Sequence, residues 1–381
     1  MVNKTFYHDF RLGILGGGQL GRMLIQSCVD FNIHTSVLDA DSSSPCKDFS
    51  SRFVLGSPTS YDDVYNFGKD LDLITIEVEN VNTDALEKLQ AEGKQVFPQP
   101  HIIKLIQDKR SQKRFYRDNE IPTAEFILIN EKDEISSHLE LLPAVQKLGR
   151  SGYDGKGVVK IRSEVDLEKA FDAPSILERL INYKKEISVI ACRSKLGQVE
   201  IYPPVELNFH PEKNLVEYLI SPANLSENVY SEAIRIARLL VDKLNIVGLL
   251  AVEMFITHDD RVLVNEIAPR PHNSGHHTIK ANYTSQFEQH LRAILGLPLG
   301  STQTKKTCAL VNILGDENYS GIAVYKGIEQ VLKLEGVYIH LYGKKFTKPF
   351  RKMGHITILG DNMDELMEKV HFVKSTIKVQ A

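Results

Sequence analysis

Leu249-Leu-Ala-Val-Glu-Met-Phe-Ile256, Thr257-His-Asp-Asp260 and Arg261-Val-Leu-Val-Asn-Glu-Ile267 form the stretch on which the fold is decided. The outer segments are rich in apolar and β-branched residues and the middle one carries turn chemistry, so together they predict a β-hairpin. With the turn centred on Asp259-Asp260, Glu253 falls directly opposite Glu266. Two carboxylates then share one face, roughly 5 Å apart at Cβ, and repel unless a cation lies between them. A divalent cation with oxygen ligands meets that need. The plainer alternative is a solvated pair on an exposed face, but both strands are otherwise too apolar for one. Glu266 also runs into Ala268-Pro-Arg-Pro-His-Asn-Ser-Gly-His-His277, a loop dense in donors for anions. One condition attaches to the pairing: a bulge would move Glu253 out of register with Glu266.

Outside the hairpin, 381 residues are enough for two or three domains. Lys and Arg number 46 against 49 Asp and Glu, a net charge of −3, so nothing points to nucleic acid or an anionic membrane. Function has to come from local clusters. Cys28, Cys46, Cys192 and Cys308 are scattered without a C-x-x-C pair, as expected of reduced thiols in a cytoplasmic protein. The first ten residues lack an apolar signal core and no later run is long enough to span a bilayer.

Strand and helix signals alternate through the first hundred residues: Leu12 to Leu15, a helix from Gln19 to about Phe31, His34 to Leu38, a helix from Tyr61 to Lys69, and Leu73 to Ile76. Alternation of that kind predicts a doubly wound α/β sheet. After Pro98-Gln-Pro100 comes a charged helix from about 102 to 119, then a strand-rich region with Leu142–Lys147, Val158–Ile161, Glu186–Ile190 and a helix from Glu227 to Leu244. Leu297-Pro-Leu-Gly300 marks a second boundary. The expected division is 1–100, 101–300 with a lid over about 121–183, and a small mixed domain over 301–381.

Gly16-Gly-Gly-Gln-Leu-Gly21 follows a strand and opens a helix, and Asp39 closes the next strand, which satisfies a dinucleotide-binding fingerprint. The same backbone donors at a helix N-terminus suit any phosphate, so an oxidoreductase and an enzyme of a phosphorylated substrate both remain open. Gly149-Arg-Ser-Gly-Tyr-Asp-Gly-Lys-Gly157, with Lys147 before it, is a loop able to fold over a polyphosphate; it is no P-loop, since a strand follows it. Ser175–Ile181 reads as a strand with Glu178 at its polar edge, followed by Glu186. His272, His276 and His277 invite a zinc reading, which Pro269, Pro271 and Gly275 disfavour by making the segment a loop without helical i, i+4 geometry. Arg270, His272, Asn273 and Ser274 look more like donors for an anionic substrate. His340–Lys344 and Arg351–His355 form a second basic cluster.

Together these segments resemble the ATP-grasp superfamily and, within it, the 5-(carboxyamino)imidazole ribonucleotide synthase family of purine biosynthesis. The resemblance is carried by Gly16–Met23, Glu77-Val-Glu-Asn-Val81, Gly152–Gly157, Asn265–His276, Ser285–Ala293 and Arg351–His355. His277 stands where the family often has Trp, and Lys109 where some members have Arg.

The resemblance implies an α/β pre-ATP-grasp domain, an ATP-grasp pair with a lid and a small C-terminal domain. It also implies ATP-dependent carboxylation of 5-aminoimidazole ribonucleotide with bicarbonate, through carboxyphosphate. ATP would be held by Lys109, Lys147, Tyr153, Asp154, Gly155, Lys156, Gly157, Glu178, Arg179, Leu180, Ile181, Glu186, His210, Asn265 and Glu266. Glu253 and Glu266 would ligate magnesium, with manganese as the alternative ion. Gly18, Gln19, Leu20, Glu77, Asn80, Tyr153, Asp154, Arg270, His272, Asn273, Ser274, Lys344 and Arg351 would receive the ribonucleotide and bicarbonate, with Arg270, Lys344 and Asp154 in catalytic roles. The partners implied are small molecules and a second copy in a homodimer.

Overall fold

The computed structural model describes residues 8–150, 157–210, 213 and 215–381. Its first sheet has five parallel strands in the spatial order Arg52–Leu55, His34–Asp39, Arg11–Leu15, Leu73–Ile76, Gln95–Val96. Leu12, Ile14, Leu15, Ile74 and Ile76 are fully buried, because helices cover both faces of a parallel sheet. One face packs through Leu20, Met23 and Leu24 of helix Gln19–Asp30 onto Phe287 and Leu291 of helix Gln286–Leu295. The other packs through Val64 and Phe67 of helix Tyr61–Gly68 and Leu86 and Leu89 of helix Thr83–Ala91.

Where one charged helix was expected over 102–119, the chain makes two, Pro100–Ile106 and Lys109–Asp118. Asp108 makes the break, its carboxylate accepting from the N–H groups of Arg110 and Ser111. That cap starts the second helix at Lys109 and fixes where its side chain emerges.

A small antiparallel sheet follows, in the order Phe126–Ile129, Ser175–Arg179, Ala144–Leu148, Val158–Ile161. It carries its own core of Ile129, Ile135, Leu141, Ile161 and Leu177, which lets it behave as a separate layer above the central sheet.

The central sheet is antiparallel and nine-stranded. Its path runs Val262–Ala268, Gly248–Thr257, Tyr183–Arg193, Val205–Phe209, Val216–Ser221, Cys308–Leu314, Lys352–Leu359, Val337–Leu341, and the ninth strand, Val199–Ile201, pairs with Tyr183–Arg193 off that path. Helix Glu227–Leu244 covers it through Ala233, Ile236 and Leu240. The sheet crosses the boundary expected near residue 300, since Val216–Ser221 pairs with Cys308–Leu314. The C-terminal segment therefore extends the scaffold of the site and is not a detached appendage. Among the described residues, no helix is long and apolar enough to cross a membrane.

Candidate active site

The glutamate hairpin contains the bulge that the sequence reading set as its hazard. The turn loop holds three residues, His258 to Asp260, with Asp260 in the left-handed region at φ +63° and Thr257 N donating to Arg261 O at 3.0 Å. Pairing therefore begins one residue out of step with expectation: Ile256 faces Val262, Phe255 faces Leu263 and Met254 faces Val264. Continued unbroken, that register would set Asn265 opposite Glu253 and turn Glu266 to the other face. The ladder instead shifts between Met254 and Glu253, and Glu253 faces Glu266. Asn265 is the extra residue. The bulge creates the glutamate pair, and both bulge residues reach partners in one cleft: Lys147 Nζ donates to Asn265 Oδ1 at 2.9 Å and Lys109 Nζ to Glu266 Oε2 at 2.8 Å.

Glu186 belongs to the same group, two residues before Ser188, which pairs with Glu253 across the neighbouring strand. Burial and the Glu266 carboxylate push Glu186 up to about 7. Burial, then Glu266 and Glu186, raise Glu253, whose side chain is 16% exposed. Lys109 holds Glu266 below the ordinary carboxylate range, against the opposing effect of burial. Three acids thus crowd one cleft, and two of them, Glu186 and Glu253, are pushed toward the protonated form by burial and by their neighbours. Two facing carboxylates without a full protein cage suit a small hard cation that completes its shell with phosphate and water. Among the described residues, no cluster of three or more His, Cys, Asp or Glu could hold a metal by itself.

Glu178 departs from its expected place at a polar edge. Its side chain is 6% exposed, one carboxylate oxygen facing Lys147 and the other lying 2.8 Å from Lys113 Nζ. Burial would raise it, but the two ammoniums prevail and hold it at about 2. Next to it, Arg179 pairs with Glu125 at 2.9 Å and Leu180 N donates to Pro143 O at 2.8 Å, leading into Ile181 at the lid edge. Gly157 adopts φ +72°, and its carbonyl accepts from Leu148 N at 2.9 Å. Tyr153, Asp154, Gly155 and Lys156 lie outside the described residues.

The loop after Glu266 forms a second wall. Arg270 Nη2 is 2.7 Å from Glu79 Oε1. His272 Nε2 lies 3.6 Å from Glu253 Oε1 while its Nδ1 is 2.9 Å from Ser274 Oγ; burial, then Arg270 and Lys352, depress it to about 3, so the ring is neutral. Ser274 Oγ meets Ser188 Oγ at 2.8 Å, and the amides of Asn273 and Asn312 exchange two hydrogen bonds of 3.0 and 3.1 Å. His276 and His277 are buried and held neutral by burial. His276 lies 5.0 Å from His355, which stacks on His340 at 4.6 Å, so imidazole rings fasten this loop to the C-terminal strands.

The two basic clusters of the C-terminal segment are brought together, since His340 pairs with His355 on adjacent strands. Lys344 Nζ donates to Lys352 O at 2.8 Å and Arg351 Nη1 to Phe346 O at 2.7 Å. Arg351 faces the Asp41 loop, while its neighbour Lys352 acts on Glu253 together with Lys109 and on His272 together with Arg270. His210 sits farther along, 4.0 Å from Glu217 and edge-on to Phe350.

The glycine turn differs from expectation. Gly17 N donates to Asp39 Oδ2 at 2.6 Å, and Gly18 N and Gly21 N donate to Glu77 at 2.6 and 3.0 Å. These donors serve two internal carboxylates, which removes the geometry a dinucleotide cofactor requires. Gln19 and Leu20 open the helix beside Glu77, and Asn80 is exposed in the following loop. Glu79, Lys113, Ser188, Asn312 and Lys352 are absent from the expected site residues; Glu79 stands in the Glu77–Val81 motif, Lys113 one helical turn from Lys109 and Lys352 in the Arg351–His355 cluster, whereas nothing local marks Ser188 or Asn312.

This arrangement of lid, hairpin and parallel domain is that of an ATP-grasp ligase. Family matches agree: a ribonucleotide synthetase preATP-grasp domain over residues 10–107, an ATP-grasp domain over 114–287 and a phosphoribosylaminoimidazole carboxylase C-terminal domain over 308–369. The N5-carboxyaminoimidazole ribonucleotide synthase of Bacillus subtilis (strain 168) is 37% identical over 97% of this chain and 97% of its own length. The crystal structure of the Thermotoga maritima synthetase superposes with a TM-score of 0.89 at 37% identity, covering 98% of this chain and 99% of that one. The Aspergillus clavatus enzyme, solved with ADP and 5-aminoimidazole ribonucleotide, superposes at 0.88 with 34% identity, covering 97% and 98%. The chain belongs to the N5-carboxyaminoimidazole ribonucleotide synthase family.

Proposed function

We infer that this protein uses ATP to carboxylate the exocyclic amine of 5-aminoimidazole ribonucleotide with bicarbonate, releasing ADP and phosphate, in purine biosynthesis. The observation that carries the reading is the bulge-built set of Glu253, Asn265 and Glu266 facing Lys109 and Lys147, in a chain that matches the family from end to end.

Bicarbonate is a poor electrophile, and its phosphorylation to carboxyphosphate turns the hydroxyl oxygen into a leaving group. Lys109 and Lys147 supply positive charge where the ATP phosphates settle. Arg179 to Ile181 present backbone groups to the base, and Glu186 takes the ribose hydroxyls, with His210 and Asn265 completing the nucleotide site. Glu253 and Glu266 would hold magnesium, with manganese as an alternative, and that ion would neutralise phosphate charge. Arg270, His272, Asn273 and Ser274 orient bicarbonate and the amine; the neutral His272 ring serves as a hydrogen-bond partner and carries no charge of its own. Lys344 and Arg351 face the ribonucleotide phosphate, while Gly18, Gln19, Leu20, Glu77 and Asn80 line its far side. Tyr153 and Asp154 would receive the ribonucleotide and bicarbonate, with Asp154 in a catalytic role. We place the protein in the cytoplasm as a homodimer.

The test is product analysis: ADP release should require both bicarbonate and the aminoimidazole ribonucleotide. Turnover driven by formate, as in a related acyl-phosphate ligase, would overturn the assignment.

A further inference from the structure

Lys113 shares a helix with Lys109 and takes no part in the reading above. Its side chain is only 3% exposed. The ammonium donates to Thr123 Oγ1, lies 2.8 Å from Glu178 Oε2 and sits 5.7 and 5.6 Å from the ring centroids of Tyr116 and Phe126. Thr123 Oγ1 donates onward to Val264 O at 2.7 Å, in the strand that carries the bulge. Lys113 is therefore caged, held by a hydroxyl, a carboxylate and two aromatic faces.

Lys147 takes the other oxygen of the same carboxylate. Its second partner is Asn265 on the cleft wall, so Lys147 stands at the mouth of the cleft while Lys113 stands behind it. Lys109, Gln112, Lys113, Lys147, Ile176 and Asn265 line one cavity of about 10 Å³, room for a single water.

With an ammonium on each carboxylate oxygen, Glu178 keeps one counter-ion when the other leaves. Taking a lone partner from a buried ion pair leaves an uncompensated charge, a strongly unfavourable state. If Lys147 were the only counter-ion of Glu178, every nucleotide would have to strand that carboxylate in order to recruit Lys147. We propose that Lys113 is a positioning residue that keeps Glu178 neutralised when Lys147 turns from it to the phosphates of ATP.

This inference rests on Lys147 being an ATP ligand, and a double-mutant cycle separates the two claims. Lys113→Met should raise the ATP KM at least about tenfold, with the KM for bicarbonate and for the ribonucleotide within about twofold of wild type. In a Glu178→Gln background the same substitution should change the ATP KM by less than about threefold, because no carboxylate remains to be neutralised. Lys113→Arg should retain near-normal ATP affinity. Equal effects of Lys113→Met in both backgrounds, or a uniform loss of kcat with no change in ATP KM, would show a role in the fold alone and overturn the proposal. Should Lys113→Met fail to fold, Glu178→Gln and the double variant decide it: ATP KM values more than about tenfold apart refute it, and values within threefold support it. Lys147→Met is the control. If it leaves the ATP KM unchanged, the nucleotide role of Lys147 is what fails.

Discussion

Replacing Glu186 with Gln should make the nucleotide-free protein more stable, by an amount that grows with pH. Glu186 is 6% exposed, and burial together with Glu266 lifts its carboxyl from the ordinary 4.5 to about 7. Below pH 4.5 the carboxyl is protonated in both folded and unfolded chains, so it gives no pH dependence. Between 4.5 and 7 the unfolded chain has lost its proton while the folded one retains it. The folded state then binds more protons, and stability falls as pH rises. Each pH unit in that window costs about 1.4 kcal/mol, so the full effect is about 3 kcal/mol, reached near pH 7 and constant above it. Glutamine has no proton to lose and escapes the penalty. Its absence also relieves Glu253, which Glu186 helps to raise, so the second effect has the same sign. Denaturant melts of wild type and Glu186→Gln at pH 5, 6, 7 and 8, without nucleotide or divalent cation, read the difference directly. A gap that widens from about 1 kcal/mol at pH 5 to about 3 kcal/mol at pH 8 is the expected result. Melting curves that stay parallel over that range would show that Glu186 is not held in the protonated state and would refute the electrostatic account of the cleft.

Glu266→Gln should lower kcat at least about a hundredfold while the fold is retained by circular dichroism, because one of two metal-facing carboxylates loses its charge. A fully active variant would remove the metal assignment. Lys344→Met and Arg351→Met should each raise the ribonucleotide KM about tenfold and leave the ATP KM within twofold, as read by initial rates. Asn312→Ala should cost about 1–3 kcal/mol in denaturant melts, since it leaves the Asn273 amide and the Val216 carbonyl without their partner, and should weaken ribonucleotide binding along with stability.

The segments that could be read locally were read well. Helix Glu227–Leu244 and strand Val158–Ile161 fall where their apolar periodicity placed them, because each buries one face and its ends are set by nearby residues. The break at Asp108 was legible in kind, as an N-capping aspartate, but the periodicity of the flanking segments concealed it. Glu178 was misjudged because a strand edge looks polar in one dimension; only Lys113 and Lys147, arriving from other elements, turn the edge into a buried ion triad. The acceptors of the glycine-turn donors are likewise distant in the chain: Gly17 N reaches Asp39, and Gly18 N reaches Glu77, 59 residues away.

The hairpin shows why such cases differ in more than degree. Turn chemistry favours a three-residue loop closed by Asp260, and that loop alone would leave Glu266 on the wrong face. The pair exists because one residue is inserted at Asn265, where Lys147 reaches its amide from 118 residues earlier. Lys109, 157 residues from Glu266, supplies the charge that makes a second acid on that face tolerable. A bulge costs a ladder hydrogen bond and gains whatever its re-aimed side chains can bind. Here the gain comes from Lys147 and Lys109, so the register of the hairpin and the placement of these two cations are one choice. A variant in which both Lys109 and Lys147 lose their charge should therefore loosen the bulge itself, read as a loss of stability in denaturant melts larger than the sum of the two single variants.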